Sequence, residues 1–264
     1  MKIFKIYILA SCLCVCSCKK DLQLDSPDFD VSLDQEDYKV GDTLNFRIQG
    51  NVDYISFYSG ETGSEYKNRE RTTVSGVPKL SFTSFAQYGT QVNTLKLLVS
   101  RDFNGDVNQQ IVNANWTDIT SQVVLSTGVD NTPSGDLDLT PYLNGEKPIY
   151  VAFKFNGTQS ATSPQKTRTI KNFQQFIVAE DGKRIPVIPS IAPAGWTAVS
   201  IANDAQKWTQ NATQIQMAGG GANTPDNEDW IVASLRPTVI SPDRGTGIKD
   251  VSGPVTSYQY DLKE

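Results

Sequence analysis

Histidine is absent from the 264 residues, and the four cysteines, Cys12, Cys14, Cys16 and Cys18, all fall near the start of the chain. Without imidazole there is no Ser-His-Asp or Cys-His arrangement, no histidine-bound zinc or iron, and no unperturbed general base near neutral pH. Without a cysteine beyond position 18, the body of the chain has no disulfide framework, no thiolate metal site and no thiol nucleophile. A phosphate cradle is missing too, because Gly219-Gly220-Gly221 is not followed by Lys-Ser/Thr. These absences point to a non-enzyme, with a two-carboxylate glycoside hydrolase as the distant alternative.

Long apolar runs are also missing, apart from one near the start. Met1-Lys-Ile-Phe-Lys5 is followed by the run Ile6 to Ser17 and then by Cys18-Lys19-Lys20. A basic region, a run of about 12 residues too short to span a bilayer, and a cysteine preceded by small residues read as a bacterial lipoprotein signal. Leu9-Ala10-Ser11-Cys12 offers a second lipid-attachment box, but it leaves only about six apolar residues after Lys5, so Cys18 is the better lipidation site. Residues 1–17 are then a cleaved signal and 18–27, ending at Pro27, a lipidated polar tether. The expectation is a body held at a membrane surface by its lipid, outside the cytoplasm.

Positive charge is scarce as well. The chain has 24 basic and 29 acidic residues, a net charge of −5, and loss of the two lysines in the signal takes it to about −7. A net acidic body repels phosphate backbones, so nucleic acid is disfavoured and none is expected as a partner.

What is present is strand grammar. Phe29, Val31 and Leu33 alternate with polar residues, a turn at Gly41-Asp42 precedes Leu44, Phe46 and Ile48, and a third strand holds Ile55 and Phe57. Residues 28–78 therefore predict a small immunoglobulin-like β module. The remainder, 79–264, repeats short apolar runs at 79–85, 94–100, 116–119, 136–139, 149–155, 168–178, 213–217, 229–235 and 257–262. Asn-Gly, Asp-Gly and Gly-Gly turns separate them. This predicts a larger jelly-roll β-sandwich and an all-β chain.

Particular motifs resemble known families. Cys18-Lys-Lys-Asp21 is similar to surface lipoproteins of the Bacteroidetes. Val99-Ser-Arg-Asp102-Phe-Asn-Gly-Asp106, Trp116-Thr-Asp118-Ile, Ser134-Gly-Asp136-Leu-Asp138 and Pro148-Ile-Tyr-Val-Ala-Phe-Lys-Phe155 run in the order of choice-of-anchor and cleaved-adhesin jelly rolls. Asp226-Asn-Glu-Asp229-Trp230-Ile231 resembles a further strand of theirs, displaced to the end of the order. Asp28-Phe-Asp-Val31, Tyr38-Lys-Val-Gly-Asp42 and Ile55-Ser-Phe-Tyr-Ser-Gly-Glu61 resemble a family of Bacteroides lipoproteins, domain of unknown function 5017. That resemblance implies an outer-membrane, surface-exposed lipoprotein working beside glycan-uptake proteins. The resulting expectation is a non-catalytic glycan-binding accessory, with an adhesin-like module that binds a protein partner as the alternative.

Four sets of residues could carry chemistry. Asp102, Asn104 and Asp106 offer alternating oxygen ligands for a structural Ca²⁺, although an EF-hand is excluded because Asn113 stands where its Glu is needed; the other reading is an Asn-Gly hairpin turn. Trp116 and Trp230 lie in strand patterns and read as core, whereas Trp196 and Trp208 flank the Pro- and Asn-rich stretches 185–195 and 202–206, which read as loops. Exposed there, their rings would stack on sugar faces while Asn203, Asp204 and Gln206 take the hydroxyls. The pairs Asp136/Asp138 and Glu228/Asp229 have the composition of a glycosidase pair but also of solvated strand edges. Lys67, Arg69 and Arg71 alternate as on a solvent-facing strand.

Overall fold

The computed structural model describes residues 28–108, 111–249 and 255–263. The signal at 1–17, Cys18 and the tether to 27 lie outside the described residues. In chain order the strands are β1 (Asp28–Leu33), β2 (Thr43–Asn51), β3 (Ile55–Phe57), β4 (Val77–Gln87), β5 (Leu95–Ser100), β6 (Thr117–Asp118), β7 (Thr132–Pro133), β8 (Leu137–Asp138) and β9 (Ile149–Gly157). They continue as β10 (Thr167–Val178), β11 (Arg184–Ile188), β12 (Thr197–Ala202), β13 (Trp208–Gln210), β14 (Gln214–Met217), β15 (Asn227–Leu235), β16 (Thr246–Lys249) and β17 (Ser257–Asp261). Helix among the described residues is confined to short 3₁₀ turns, so the chain is all-β, as its period-two patterning requires.

Two compact units divide it. One joins the chain up to Ser59 with Gly245 onward; the other is the continuous stretch Gly60–Arg244. The boundary expected between 78 and 79 thus falls at 59/60, and the last strands leave the larger unit. The reason is pairing: β17 lies antiparallel on β2, Ser257 opposite Arg47 and Asp261 opposite Thr43, and completes the sheet β1-β2-β17. A second ladder joins β3 to β16. Within this unit the Phe57 ring lies 5.1 Å from Phe46, 5.4 Å from Tyr258 and 5.1 Å from Tyr260, so aromatic contact adds to the burial of Ile48 and Val52.

The larger unit is a β-sandwich. One sheet has the order β13-β14-β10-β4-β7, with β11 added to β10 and β8 to β4; the other runs β12-β15-β9-β5-β6. Strand β4 alternates buried and half-buried positions along its length, placing Leu80 and Phe82 inward. They meet Val151, Phe153 and Phe155 of β9, with Phe82 edge-on to Phe153 at 5.1 Å. Each such large side chain, fully buried, contributes about 1.5–3 kcal/mol. In β10 both Ile170 and Phe173 face this core, an odd spacing that the register shift between Lys171 and Gln174 allows, with Asn172 at φ +51° in the bulge. Successive long strands change sheets at β4 to β5, β9 to β10 and β14 to β15.

A smaller apolar cluster covers the outer face of the second sheet. Phe103 and Ile111 from the loop after β5 lie with Leu98, Ala152, Trp230 and Val232, while Trp116 packs against them 5.5 Å from Trp230. Trp116 and Trp230 are packing residues, in line with their strand patterns.

Candidate functional site

Trp196 and Trp208, expected in loops, are only 4% and 5% exposed and belong to the sandwich core. Trp196 stands edge-on to Phe173 at 4.9 Å and lies 5.6 Å from Phe153. Trp208 opens β13 opposite Met217, and its indole N–H donates to the Asp229 carbonyl at 3.3 Å. The stacking role assigned to them is corrected accordingly: β11 runs through the first of the stretches read as loops, β12 begins directly after Trp196 and Trp208 opens β13, so both indoles stand at strand ends that face the core. Asn203 is in a left-handed turn closed by Gln206 N–H to its carbonyl at 3.0 Å, and its side chain reaches Pro225 O. Of the set, the structure brings Asp204 and Trp208 together, with Ser200 and Lys207, around a pocket of about 280 Å³; Asn203 and Gln206 do not line it.

Asp102, Asn104 and Asp106 direct oxygens to the backbone of their own loop. Asp102 Oδ1 accepts from the Ser100 hydroxyl at 2.8 Å and from Asn115 N–H at 3.0 Å. The Ser100 hydroxyl and the Asn115 side chain hold the Asp102 carboxyl below its ordinary range. Asn104 Oδ1 accepts from Asp106 N–H at 2.9 Å, and Asp106 Oδ1 from Asn108 N–H at 3.1 Å. These are the bonds of successive side-chain-capped turns. Among the described residues no group of three or more acidic ligands converges.

The acidic pairs diverge. Neighbours on β15 point to opposite faces: Glu228 takes the Trp230 indole N–H at 3.0 Å and Lys154 at 2.9 Å, whereas Asp229 is 1% exposed. Burial pushes the Glu228 carboxyl up, but Trp230, Lys154 and Asn156 outweigh it and hold it below the usual range. Among the described residues neither carboxyl oxygen of Asp229 has a hydrogen bond of good geometry, and burial pushes its pKa up to about 7, with the nearby Ser200 hydroxyl and Lys207 opposing the shift and Asp204 adding to it. Asp138 caps a 3₁₀ turn through Thr140 N–H at 2.7 Å, and Asp136 pairs with Arg184.

The basic cluster is not a strand face. Tyr66–Asn68 is a 3₁₀ turn, Arg69 lies 4.2 Å over the Tyr66 ring, and Arg71 pairs with buried Asp243 at 3.4 Å. A charged cleft of about 710 Å³ runs past these residues to Asp181, Lys183 and Arg184. Its cations pair with local acids: Lys67 with Glu65, Arg71 with Asp243, Lys183 with Asp181, Arg184 with Asp136. Such a cleft has little unspent charge for a ligand.

Another arrangement stands at the end of the sandwich where β4 stops. Tyr88 and Gly89 are consecutive left-handed residues, at φ +55° and +54°. A bulky side chain in that region costs about 1–2 kcal/mol, so the surroundings must hold it. A Cβ on Gly89 would lie 2.2 Å from the Pro164 carbonyl oxygen, so only glycine fits there. Lys166 Nζ donates to the carbonyls of Tyr88 at 3.1 Å and Gly89 at 2.8 Å, and Thr90 N–H donates to Ser163 Oγ at 3.1 Å. The turn is fixed from three sides, yet Tyr88 is 68% exposed. It borders an open concavity of about 790 Å³ whose rim includes Gln87, Thr90, Thr127 and Thr162. A held backbone outlier presenting an exposed aromatic above polar groups is an arrangement found at binding sites. The sequence signal was available in the Tyr-Gly pair ending an alternating run, a turn signature carrying an aromatic.

No curated protein and no solved structure matches this chain. A family model does match, Domain of unknown function (DUF5017), over residues 17–196, which includes every residue around the Tyr88 concavity and stops short of β12 to β17. With more than half of its length matched, the chain belongs to the DUF5017 family.

Proposed function

We propose that this chain is a non-catalytic, lipid-anchored surface protein of the Bacteroides type, held to the outer membrane through Cys18 and binding a glycan for an outer-membrane uptake system. Its larger unit, whose successive long strands change sheets, fits a jelly roll. The observation that carries the binding role is Tyr88: a fixed, exposed ring beside an open concavity rimmed by hydroxyl and amide side chains. A sugar offers a C–H face to such a ring and hydroxyls to such a rim. The absence of histidine and the divergence of Glu228 from Asp229 favour binding without turnover. Ca²⁺ at Asp102, Asn104 and Asp106 would require those side chains to exchange bonds to their own loop for bonds to the ion; a fall in melting temperature in excess chelator would reveal it.

A glycan array on the chain from Asp21 onward tests the reading. Binding that is lost in Tyr88→Ala and kept in a variant of the charged cleft, Lys67→Ala, is the expected result. Silence of the parent across a broad array would favour the second reading, a protein partner. The observation behind that alternative is β1, an edge strand whose Phe29, Val31 and Leu33 are each more than 40% exposed and could receive a partner's strand. The anchor has its own check: Cys18→Ala should leave the membrane fraction, and Cys12→Ala should stay.

A further inference from the structure

The Tyr88 concavity differs in charge from the acidic chain that bears it. Its lining contains Lys166 and no aspartate or glutamate. Lys166 Nζ is held by two carbonyl oxygens, and among the described residues it has no carboxylate within ion-pair distance. Behind the wall stands a second cation, Arg168 on β10, 6% exposed. Its Nε donates to Thr94 Oγ1 and one terminal nitrogen to Ser126 O, both at 2.8 Å; these acceptors are neutral, and among the described residues no carboxylate pairs with it. Burial pushes this guanidinium down from its ordinary value.

Arg168 is close to the concavity by construction. Its cross-strand partner Ala86 lines the concavity, and so does Thr127, the residue after its acceptor Ser126. The nearest acid on the same loop, Asp130, is paired with Lys171 at 3.0 Å. A buried cation without a counter-ion is costly, and its field reaches further through protein than through water. An anion entering the concavity would meet both positive charges, whereas the rest of the surface, net acidic, repels it.

We propose that the saccharide taken by this concavity is anionic, carrying a carboxylate or sulfate group that is placed beside Lys166 while its ring lies on Tyr88. This rests on the glycan reading of the same site and narrows it to acidic polysaccharides.

The test compares matched pairs by titration calorimetry on the chain from Asp21 onward. One pair is an oligogalacturonide and its methyl ester; the other is a sulfated galactan oligosaccharide and its desulfated form. At least tenfold tighter binding of the anionic member of one pair is expected, shrinking as salt rises from 0.05 to 0.5 M. Which pair shows it decides between carboxylate and sulfate. Thr127→Glu, on the exposed rim, should lower binding of the anionic member at least tenfold more than binding of its neutral counterpart; an equal loss for both would mean that charge plays no part. Equal binding within both pairs would overturn the anionic assignment while leaving the glycan site standing. Failure of any saccharide to bind would remove both.

Discussion

Trp208 and Tyr88 are aromatic residues at strand ends of the same sandwich, with opposite fates. Trp208 begins an edge strand whose partner β14 faces the core, so its ring is covered by Phe153 and Met217 and its N–H is satisfied by Asp229 O. Tyr88 follows β4 by one residue, but a left-handed turn carries its ring away from the core. The difference teaches that neither residue type nor loop composition decides whether an aromatic packs or binds. Backbone conformation at one or two positions does.

The largest expected effect tests the buried side. Trp196→Ala or Trp208→Ala should lower unfolding free energy by about 3–5 kcal/mol, seen as an earlier cooperative melt. A loss below about 1 kcal/mol would mean these rings are not packed as described. Next comes Asp229, in the same corner. Its folded pKa of about 7 lies above the ordinary value of 3.8, so the folded state holds an extra proton between them. This group's contribution is fully present below about pH 4 and lost as pH rises through 7. Asp229→Asn should therefore flatten the stability profile over that window and raise stability at pH 8, by up to about 4 kcal/mol. Denaturant titrations at pH 5 and pH 8 measure it, and an unchanged pH profile would contradict the buried, unpartnered carboxyl.

On the exposed side the effects shrink and change sign. Gly89→Ala should cost about 1–3 kcal/mol, because the Cβ meets Pro164 O and the left-handed φ is lost to alanine. Tyr88→Gly should leave stability equal or raise it by about 1 kcal/mol, since glycine takes that φ without strain, and should abolish glycan binding. A Tyr88→Gly protein that melts several degrees earlier would show that the ring packs rather than presents.

The long buried strands were legible because alternation survives wherever one face is covered: Leu80, Phe82 and Ser84 of β4 and the run Ile149–Phe155 of β9 announce themselves. The edge strands were not. Arg184–Ile188 carries Pro186, which a ladder tolerates at an edge but which reads as loop in sequence, and Thr197–Ala202 has no alternation of burial to display. That omission misplaced both tryptophans. Tyr88 was legible only as a turn: the Tyr-Gly pair signals one, but what fixes it is contact with Pro164 and Lys166, more than seventy residues away in sequence. That Arg168 meets only neutral acceptors among the described residues likewise depends on what surrounds it in three dimensions.

The pairing of β2 with β17 also has a consequence for the order of folding. Thr43 and Asp261, which share a hydrogen bond, are 218 residues apart, a closure that is slow when the chain between them is unstructured. The larger unit changes that. Its own ends are drawn together by Arg244 N–H donating to Gly63 O at 3.0 Å, so once 60–244 has folded, the two segments of the smaller unit are effectively joined by a short link. A chain emerging N-terminus first would leave β2 and β3 without β17 and β16 until the whole larger unit had been made, and β17 would act as the latch.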